Sequence, residues 1–576
     1  MNIKQYLPAL NWVSGYRKNW FAGDLSAGLT VGVMLIPQGM AYAMLAGLPP
    51  IHGLYAATIP LVLYALFGSS RQLAVGPVAM VSLLTAAGIS ALKPAGPEAY
   101  LLLAFTLAFL VGAIQFLMGV FRLGFLVNLL SHPVISGFTS AAAIIIGLSQ
   151  LKHLLGVKIP GSEHVHEILL AAAERIGETN PITLAIGLGA ILVIKLAKKI
   201  HPAIPGALLA VVAGILVVWG FGLDQVGVKI VGEVPAGLPG LSLPSFDVAT
   251  WQALLPAALT ISLVGFMESF AVAKAIQTKH KNYQVHANQE LVGLGLANFG
   301  AAIFQGYPVT GGFSRTAVND QAGAKTGLAS LISAVLILLT LLFLTPLFHF
   351  LPNAVLAAVI LVAVAGLIDY QEAIRLWKKD RSDFWMLLAT FLITLTLGIE
   401  LGIGAGVLLS LGMVVYRASR PHVAVLGKVP GSPFYRNIQR FSNLEQRPDV
   451  LIVRFDGPLY FSNINFFKDN MAAHIARKGA ALRLIVLNAD SISQLDSSAV
   501  HALEEWVQET RAKGLEVYFT GVIGPVRDTL QRWGLTTVIG EERFFMSNQQ
   551  AVDTFDGAAQ RSGKEEGFSA YVLQAN

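Results

Sequence analysis

Residues 307–316 read YPVTGGFSRT, and this stretch decides how the rest of the chain is interpreted. It interrupts an apolar region with Pro308, two glycines and Arg315. A second interruption, VGPVA at residues 75–79, also precedes a short apolar run. Each pattern predicts a half-length helix that begins just after a break. Two such helices in corresponding halves of a chain are typical of membrane transporters made of inverted repeats.

The composition of the 576-residue chain excludes an ordinary soluble globular protein. Hydrophobic residues make up 54% of it and charged residues 13%, with a mean hydropathy of +0.62, whereas about a quarter of a soluble domain is charged. The charged residues become denser after residue 420. The absence of cysteine excludes disulfides, thiol nucleophiles and thiolate metal sites. We therefore predict a polytopic membrane domain followed by a soluble domain.

Fourteen apolar runs in the first part are candidate membrane spans. They are residues 21–45, 52–68, 76–93, 100–120, 131–150, 181–197, 203–222, 251–273, 286–304, 313–325, 327–350, 353–369, 383–400 and 402–417. The two short runs that follow the breaks are the third and the tenth, seven segments apart. With a cytoplasmic N-terminus, the inner loops carry roughly three times as many basic residues as the outer loops, which supports this orientation. Both termini are then cytoplasmic.

The region after residue 420 predicts a small α/β domain. Strands are expected at residues 449–455, 483–488 and 515–520, separated by helices near 464–478, 497–513 and 525–534. The predicted organisation is an N-terminal segment (1–20), a transmembrane domain (21–420), a linker (421–448), the α/β domain (449–556) and a polar tail (557–576). No phosphate-binding loop, zinc-ligand spacing or nucleophile elbow is present, so no catalytic residue is predicted.

Arg315 is the leading candidate for a binding residue, because a charge at membrane depth costs about 2.5–3.5 kcal/mol. Small residues precede it at the predicted start of a half-helix, where unpaired backbone N–H groups attract anions. Residues 76–79 supply a second helix start. Two positively polarised helix starts and one positively charged guanidinium together indicate an anion site. The alternative is that Arg315 only braces the broken segment through carbonyl contacts.

Glu268 lies inside the eighth apolar run and complements Arg315. Because removal from water disfavours a charged carboxylate, this residue either holds a proton at neutral pH or is ionised beside Arg315 or a cation. Reversible release of a proton or cation there would couple anion entry to an ion gradient. The alternative is a structural ion pair.

Gln38 and Tyr42 are four residues apart in the first run and share a helical face. They either line an anion site or form ordinary hydrogen bonds between helices. In the soluble domain, Ser497 and Ser498 open a predicted helix just after Asp496. Either Asp496 or Ser497 caps that helix, or a phosphorylated serine switches a partner surface.

Several stretches resemble the sulfate permease family of anion transporters. The strongest are DLSAGLT at residues 24–30, IPQGMAYA at 36–43, LAGLPP at 45–50 with GLY at 53–55, and FGSSRQ at 67–72 before VGPVA. The resemblance covers about residues 20–540. It implies a membrane all-α domain of 14 transmembrane segments in a 7+7 inverted repeat, with core and gate bundles and elevator-like alternating access. It also implies that the cytoplasmic α/β domain is a STAS domain, similar to sigma-factor-antagonist proteins.

The resemblance implies roles for individual residues as well. The substrate anion would lie between the third and tenth helices, near Val78, Ala79, Ser314 and Arg315, with Gln38 and Tyr42 lining the site. Glu268 matches the acidic position that bacterial and plant members use for proton or sodium coupling. Phosphorylatable antagonists usually have glycine where this chain has Ala499, which argues against phosphorylation of Ser497 or Ser498. The STAS domain is then a folding, dimer-contact or partner-binding module.

Together these patterns predict a secondary active transporter, not an enzyme, that moves sulfate across a bacterial inner membrane by proton symport. Sodium-coupled bicarbonate transport and proton-coupled C4-dicarboxylate transport remain open alternatives, while an anion channel or a membrane sensor is less favoured. We expect a homodimer in the lipid bilayer, a proton or sodium ion as the coupling ion, and a cytoplasmic protein partner for the STAS domain. No metal, other cofactor or nucleic-acid partner is expected.

Overall fold

The computed structural model of the chain describes residues 7–125, 131–159, 165–200, 205–280 and 283–560. The predicted N-terminal segment and polar tail therefore lie partly outside the described residues. The chain divides into two compact units, one ending at Ser410 and the other beginning at Leu411. This division falls inside the last helix of the membrane domain, which spans Ile399–Ser419.

The first unit is helical, and every predicted membrane span falls on a helix or on successive helices over its described residues; residues 203 and 204 of the seventh span lie outside them. The helices up to residue 419 are α1 (Ala9–Val13), α2 (Phe21–Leu45), α3 (Pro50–Tyr55), α4 (Ile59–Phe67), α5 (Ala79–Ser90), α6 (Pro97–Val120), α7 (His132–Ser149), α8 (Leu151–Leu154), α9 (Val165–Glu174), α10 (Pro181–Ile200), α11 (Gly206–Phe221), α12 (Val248–His280), α13 (Ala287–Ile303), α14 (Phe313–Gln321), α15 (Leu328–Leu339), α16 (Asn353–Ala365), α17 (Tyr370–Lys379), α18 (Arg381–Leu397) and α19 (Ile399–Ser419). Among the described residues, seven helical stretches are long and apolar enough to cross a membrane by themselves. The predicted all-α membrane domain is confirmed.

The two predicted half-helices are confirmed and each follows a very short strand. α5 has 12 residues and follows β1 (Val75–Gly76), whereas α14 has 9 residues and follows β2 (Thr310–Gly311). Gly76 and Pro77 prevent a continuous helix at the first place, and Gly311 and Gly312 do so at the second. Glycine favours non-helical backbone, and proline lacks an N–H group. The sequence breaks therefore become the points at which both short helices start.

Glycine pairs let the membrane helices approach closely. A Cβ atom on Gly53 of α3 would lie 1.9 Å from the carbonyl oxygen of Gly39 in α2. Between α6 and α13, a Cβ on Gly112 would lie 2.9 Å from the carbonyl oxygen of Gly295. Close backbone contact of this kind is the usual way in which helices associate in a membrane, because burial of apolar surface provides little driving force for association there.

The second unit is the predicted α/β domain. Its elements are β3 (His422–Lys428), β4 (Tyr435–Asn437), β5 (Val450–Asp456), α20 (Ile464–Lys478), β6 (Leu484–Asn488), α21 (Ser497–Ala512), β7 (Glu516–Thr520), α22 (Gly524–Arg532), α23 (Leu535–Ile539), β8 (Phe544–Phe545) and α24 (Asn548–Gln560). The sheet order is β4-β3-β5-β6-β7-β8, with β5 to β8 parallel and β3 antiparallel to β5. Phe455, Phe467 and Trp506 stack edge to face in its core.

Two predicted boundaries of this domain need correction. The stretch 421–448, expected to be a linker, supplies β3 and β4, which pair with each other and extend the sheet beyond β5. Its Pro and Gly residues suggested a connection, but Pro430, Gly431 and Pro433 lie in the turn between two paired strands and Pro421 directly precedes the first strand. The last helix, α24, ends at Gln560, so the first four residues of the predicted tail are helical.

An arginine ties this sheet to α24 and makes the domain sensitive to acid. Arg447 donates to both oxygens of Asp449, at 3.0 and 2.7 Å, and to both oxygens of Asp556, at 2.7 and 2.6 Å. These hydrogen bonds from Arg447 hold the pKa of Asp449 below its ordinary value. The folded domain therefore gains stability that is present above about pH 4, the ordinary aspartate range, and is lost as the pH falls through the lowered pKa.

Replacing Arg447 with methionine should flatten that pH dependence. At neutral pH we expect the unfolding temperature of the second unit to fall by roughly 2 °C, since the pair is partly exposed. Between pH 5 and pH 3 the variant should lose less additional stability than the wild type, as measured by calorimetry of the full chain. Arg440→Met, at an exposed site nearby, is the control. Parallel pH profiles for wild type and Arg447→Met would contradict the assignment.

Candidate functional site

The two half-helices start from one small junction. β1 and β2 pair antiparallel over both of their residues. The N–H group of Gly312 donates to the carbonyl oxygen of Ala74 at 3.1 Å and extends this contact. The N–H groups in the first turn of a helix have no partner within the helix and carry its partial positive charge. The junction therefore brings two positively polarised helix ends into one region.

Side chains from α12 and α13 hold the junction in place. The Ser269 hydroxyl accepts from the N–H of Gly311 at 2.7 Å and lies 2.6 Å from the hydroxyl of Thr310. The Asn298 amide bonds both backbone groups of Val309, at 2.8 and 3.1 Å. All of these groups are buried, so the strand that leads into α14 is rigidly attached to two full-length helices.

Arg315 lies in the first turn of α14 and is only 1% exposed. Its Nη1 donates to the carbonyl oxygen of Pro77, across the junction. Its Nε and Nη2 are buried and have no hydrogen-bond partner among the residues that the structure describes. The guanidinium therefore does brace the broken segment, as the alternative interpretation proposed, but two of its three nitrogens remain available. A Cβ on Gly312 would lie 2.8 Å from Nη2, so a larger residue there would have to displace the guanidinium.

The structure brings most of the other predicted residues to the same place. Tyr42 is buried and lies within electrostatic range of Arg315. Gln38 is buried one turn earlier, and within the described part of the chain its Oε1 has no hydrogen-bond partner. Val78 precedes α5 and Ala79 is its first residue, and both are buried. Ser314 differs, because its side chain is exposed, and its contact with an anion stays a prediction.

Glu268 faces this group from α12. It is partly buried and lies within electrostatic range of Arg315 and Tyr42. Among the described residues, no carboxylate lies within 4.0 Å of the guanidinium nitrogens of Arg315, so the structural ion pair is not formed in this state. The adjacent Ser269 is the residue that binds β2, which fixes this turn of α12 against the junction. A coupling role for Glu268 stays a prediction.

Glu290 is a buried acidic residue that the sequence reasoning missed. It lies in α13 with no exposed surface and accepts four hydrogen bonds. The donors are the Tyr64 hydroxyl at 2.5 Å, the Ser69 N–H and hydroxyl at 2.8 and 2.7 Å, and the Ser70 N–H at 3.1 Å. The carboxylate thereby holds the loop that leads into β1. A glutamate inside an apolar run was the available signal.

Replacing Glu290 with glutamine should destabilise the membrane unit strongly. The amide keeps one acceptor oxygen and puts an NH2 group against donors, and each buried donor left without an acceptor costs about 1–3 kcal/mol. We expect a lower unfolding temperature in detergent together with faster proteolysis of the loop between α4 and β1. Glu98→Gln, at an exposed position, is the matched control. Equal stability of the two variants would show that Glu290 does not hold this loop.

Asp24 makes a second buried contact of this kind. It is fully buried in α2, where it accepts from the N–H groups of Lys325 and Thr326 at 2.7 and 3.0 Å and from the Thr326 hydroxyl at 2.7 Å. It therefore holds the chain that follows α14. Throughout the described ranges, no three His, Asp or Glu side chains form a group that could hold a metal ion.

In the second unit, Ser497 and Ser498 are exposed at the start of α21. Asp496 caps this helix, because its Oδ1 accepts from the N–H of Ala499 at 2.7 Å. Its Oδ2 accepts from the N–H of Phe461 at 2.9 Å, which joins two neighbouring loops. The capping interpretation of Asp496 is confirmed. Phosphorylation of either serine stays a prediction.

Comparison with known proteins agrees with this architecture. Residues 21–390 match the Sulfate permease family and residues 442–551 match the STAS domain. The chain belongs to the sulfate permease family. It is accordingly a multi-pass membrane protein of an anion-transporter family and not an enzyme.

Individual relatives cover almost the whole chain. It is 41% identical to "Sulfate transporter 4.1, chloroplastic" of Arabidopsis thaliana, over 98% of this chain and 84% of the relative. The structure of murine Solute Carrier 26 family member A9, in an inward-facing state, is similar with a TM-score of 0.89 and 26% identity, over 96% of this chain and 94% of that one. The transmembrane domain of a cyanobacterial bicarbonate transporter, BicA, matches 69% of this chain and 98% of its own, with a TM-score of 0.60 and 27% identity.

Proposed function

We propose that this member of the sulfate permease family is a secondary active transporter that carries sulfate together with protons. The single observation that supports an anion site most strongly is Arg315, a fully buried guanidinium with two unpartnered nitrogens at the meeting point of two helix N-termini. A guanidinium offers a forked set of donors that suits a tetrahedral oxyanion. The name of the Arabidopsis relative supports sulfate as the substrate.

Glu268 is the proposed coupling residue. A protonated Glu268 leaves the site with the positive charge of Arg315 and the helix ends, which favours a dianion. Loss of the proton places a negative charge near the same anion and favours its release, so anion and proton move together. Across a bacterial membrane whose proton gradient points into the cytoplasm, this coupled movement would be inward.

We also propose alternating access by an elevator movement, because the elements of the site are joined to one another. The junction, both half-helices, α12 and α13 are joined by buried hydrogen bonds through Ser269, Asn298 and Glu290. Such a group can move as one body while carrying the anion. Homodimerisation, a protein partner for the STAS domain and regulation at Ser497 or Ser498 remain proposals from the family resemblance.

Bicarbonate with sodium is the second candidate, and one observation favours it. The membrane unit is similar to the transmembrane domain of the transporter BicA, which is named for bicarbonate. Arg315 and two helix ends can bind either anion. A C4-dicarboxylate with protons is a third substrate class that the same charges could serve.

Uptake into proteoliposomes tests these proposals directly. Radiolabelled sulfate would be supplied with an imposed proton gradient, a sodium gradient or neither, with unlabelled bicarbonate and fumarate as competitors. Accumulation of sulfate above equilibrium, driven by protons and unaffected by the competitors, is the expected result. Flux of bicarbonate or fumarate in its place would replace the substrate, and flux that only reaches equilibrium would indicate a channel. Binding without flux would indicate a sensor.

A further inference from the structure

α17 lies between two membrane helices but spans nothing itself. Asp369 caps its start by accepting from the N–H of Glu372 at 3.0 Å. Immediately after α17, Asp380 starts α18 by accepting from the N–H groups of Ser382 and Asp383 at 3.0 and 3.2 Å. Separate caps make α17 an independent helix with turns at both ends. With 10 residues, it is too short to cross a membrane by itself.

An apolar stripe runs along the outside of α17. Tyr370, Ile374 and Trp377 are 64%, 52% and 47% exposed. Their spacing of four and three residues places them on one face of the helix. Leu376, on a different face, is buried against the protein. The exposed stripe is thus a surface of the folded unit that needs an apolar environment.

Cations lie next to this stripe and on the opposite, polar face of the same helix. Lys378 and Lys379 are exposed, and the Arg381 guanidinium lies 5.3 Å from the ring centre of Trp377. Within the described ranges, none of these three cations has a carboxylate within ion-pair distance. The nearby Glu372 carboxylate instead pairs with Arg375, with 3.5 Å between Oε2 and Nη1. The helix therefore presents unpaired positive charge next to apolar side chains.

Aromatic residues continue the stripe onto the start of α18. The ring centres of Trp377 and Phe384 are 4.9 Å apart, and those of Phe384 and Trp385 are 5.6 Å apart. Trp385 is 58% exposed. Tryptophan is enriched where the apolar core of a bilayer meets the headgroups, because its ring is amphipathic. An exposed cluster of this kind suits the boundary between acyl chains and headgroups.

We propose that α17 lies in the headgroup layer and binds anionic phospholipids. Its apolar stripe would contact the upper acyl chains while Lys378 and Lys379 contact headgroup phosphates. A helix with this division of faces is typical of an interfacial segment. A lipid fits better than a soluble phosphate, because the cations border an apolar stripe that a soluble anion would leave in water. A lysine near an anionic surface contributes about 1 kcal/mol, which corresponds to about a fivefold preference for each.

Tryptophan quenching in proteoliposomes tests this proposal. The full chain would be reconstituted with brominated phosphatidylglycerol or brominated phosphatidylcholine, each mixed with unlabelled lipid. Since the chain has 8 tryptophans, the signal of Trp377 and Trp385 is taken as the difference between each protein and its Trp377→Phe/Trp385→Phe version. We expect the anionic lipid to quench this signal preferentially. In Lys378→Gln/Lys379→Gln, the preference for anionic lipid should fall by about fivefold for each of the two lysines.

The control variants separate charge from fold. Lys378→Arg/Lys379→Arg should keep the preference, and Lys513→Gln/Arg532→Gln, which removes two exposed charges from the second unit, should leave it unchanged. Equal quenching by both lipids in the wild type would overturn the proposal. Absence of quenching by either lipid would also overturn it, because the stripe would then be covered by protein, either a second copy or another partner.

Discussion

Arg315→Ala is expected to weaken sulfate binding by about 100-fold or more, because hydrogen bonds to a charged group contribute about 1.5–3 kcal/mol each and two nitrogens are free. The alanine variant leaves the carbonyl oxygen of Pro77 without its donor, but the junction keeps its backbone pairing and its contacts to Ser269 and Asn298. Binding of radiolabelled sulfate to purified protein, with thermal unfolding measured in parallel, checks both parts of this expectation.

Two further variants make the Arg315 result specific. Arg315→Lys keeps one positive charge but loses the planar fork, so we expect intermediate affinity. Lys199→Ala removes a charge from an exposed position at the end of α10 and should bind as the wild type does. Wild-type affinity in Arg315→Ala would show that the anion lies elsewhere and that this guanidinium serves only to brace the segment.

Glu268→Gln should abolish proton-driven accumulation and spare sulfate exchange. Glutamine is close to glutamate in shape but cannot release a proton, so anion binding persists while its link to the gradient is lost. We expect accumulation to fall to the equilibrium level, with exchange of internal for external sulfate retained. Proteoliposome uptake with a pH gradient, followed by counterflow without one, measures the two activities separately.

The neighbouring serine provides the comparison for Glu268. Ser269→Ala removes the hydroxyl that binds β2, and it should reduce binding and exchange together, because it loosens the junction without touching the coupling group. If Glu268→Gln keeps the pH and sodium dependence of the wild type, Glu268 is not the coupling residue. A loss of both accumulation and exchange would place Glu268 in anion binding.

Several features could be predicted from local sequence because their causes are local. A run of about 20 apolar residues fits the thickness of a bilayer, and a break by glycine and proline ends a helix wherever the chain later folds. For this reason the helices under all fourteen predicted spans, the starts of both half-helices and the unusual position of Arg315 could be predicted. Strands β5, β6 and β7 were readable for a similar reason, since each is a buried, continuous apolar run.

Other features depend on residues that are distant in the chain, and only the tertiary structure decided them. Glu290 and Ser69 are 221 positions apart, and Arg315 meets Pro77 across 238 positions. The strands of residues 421–448 also depend on a partner, because β3 is recognisable only by its pairing with β5. The apolar runs and breaks thus specified which helices form and where they start. Folding alone determined which carboxylates hold the loops, and which two nitrogens of Arg315 remain free, because hydrogen bonds are satisfied by spatial neighbours rather than by neighbours in sequence.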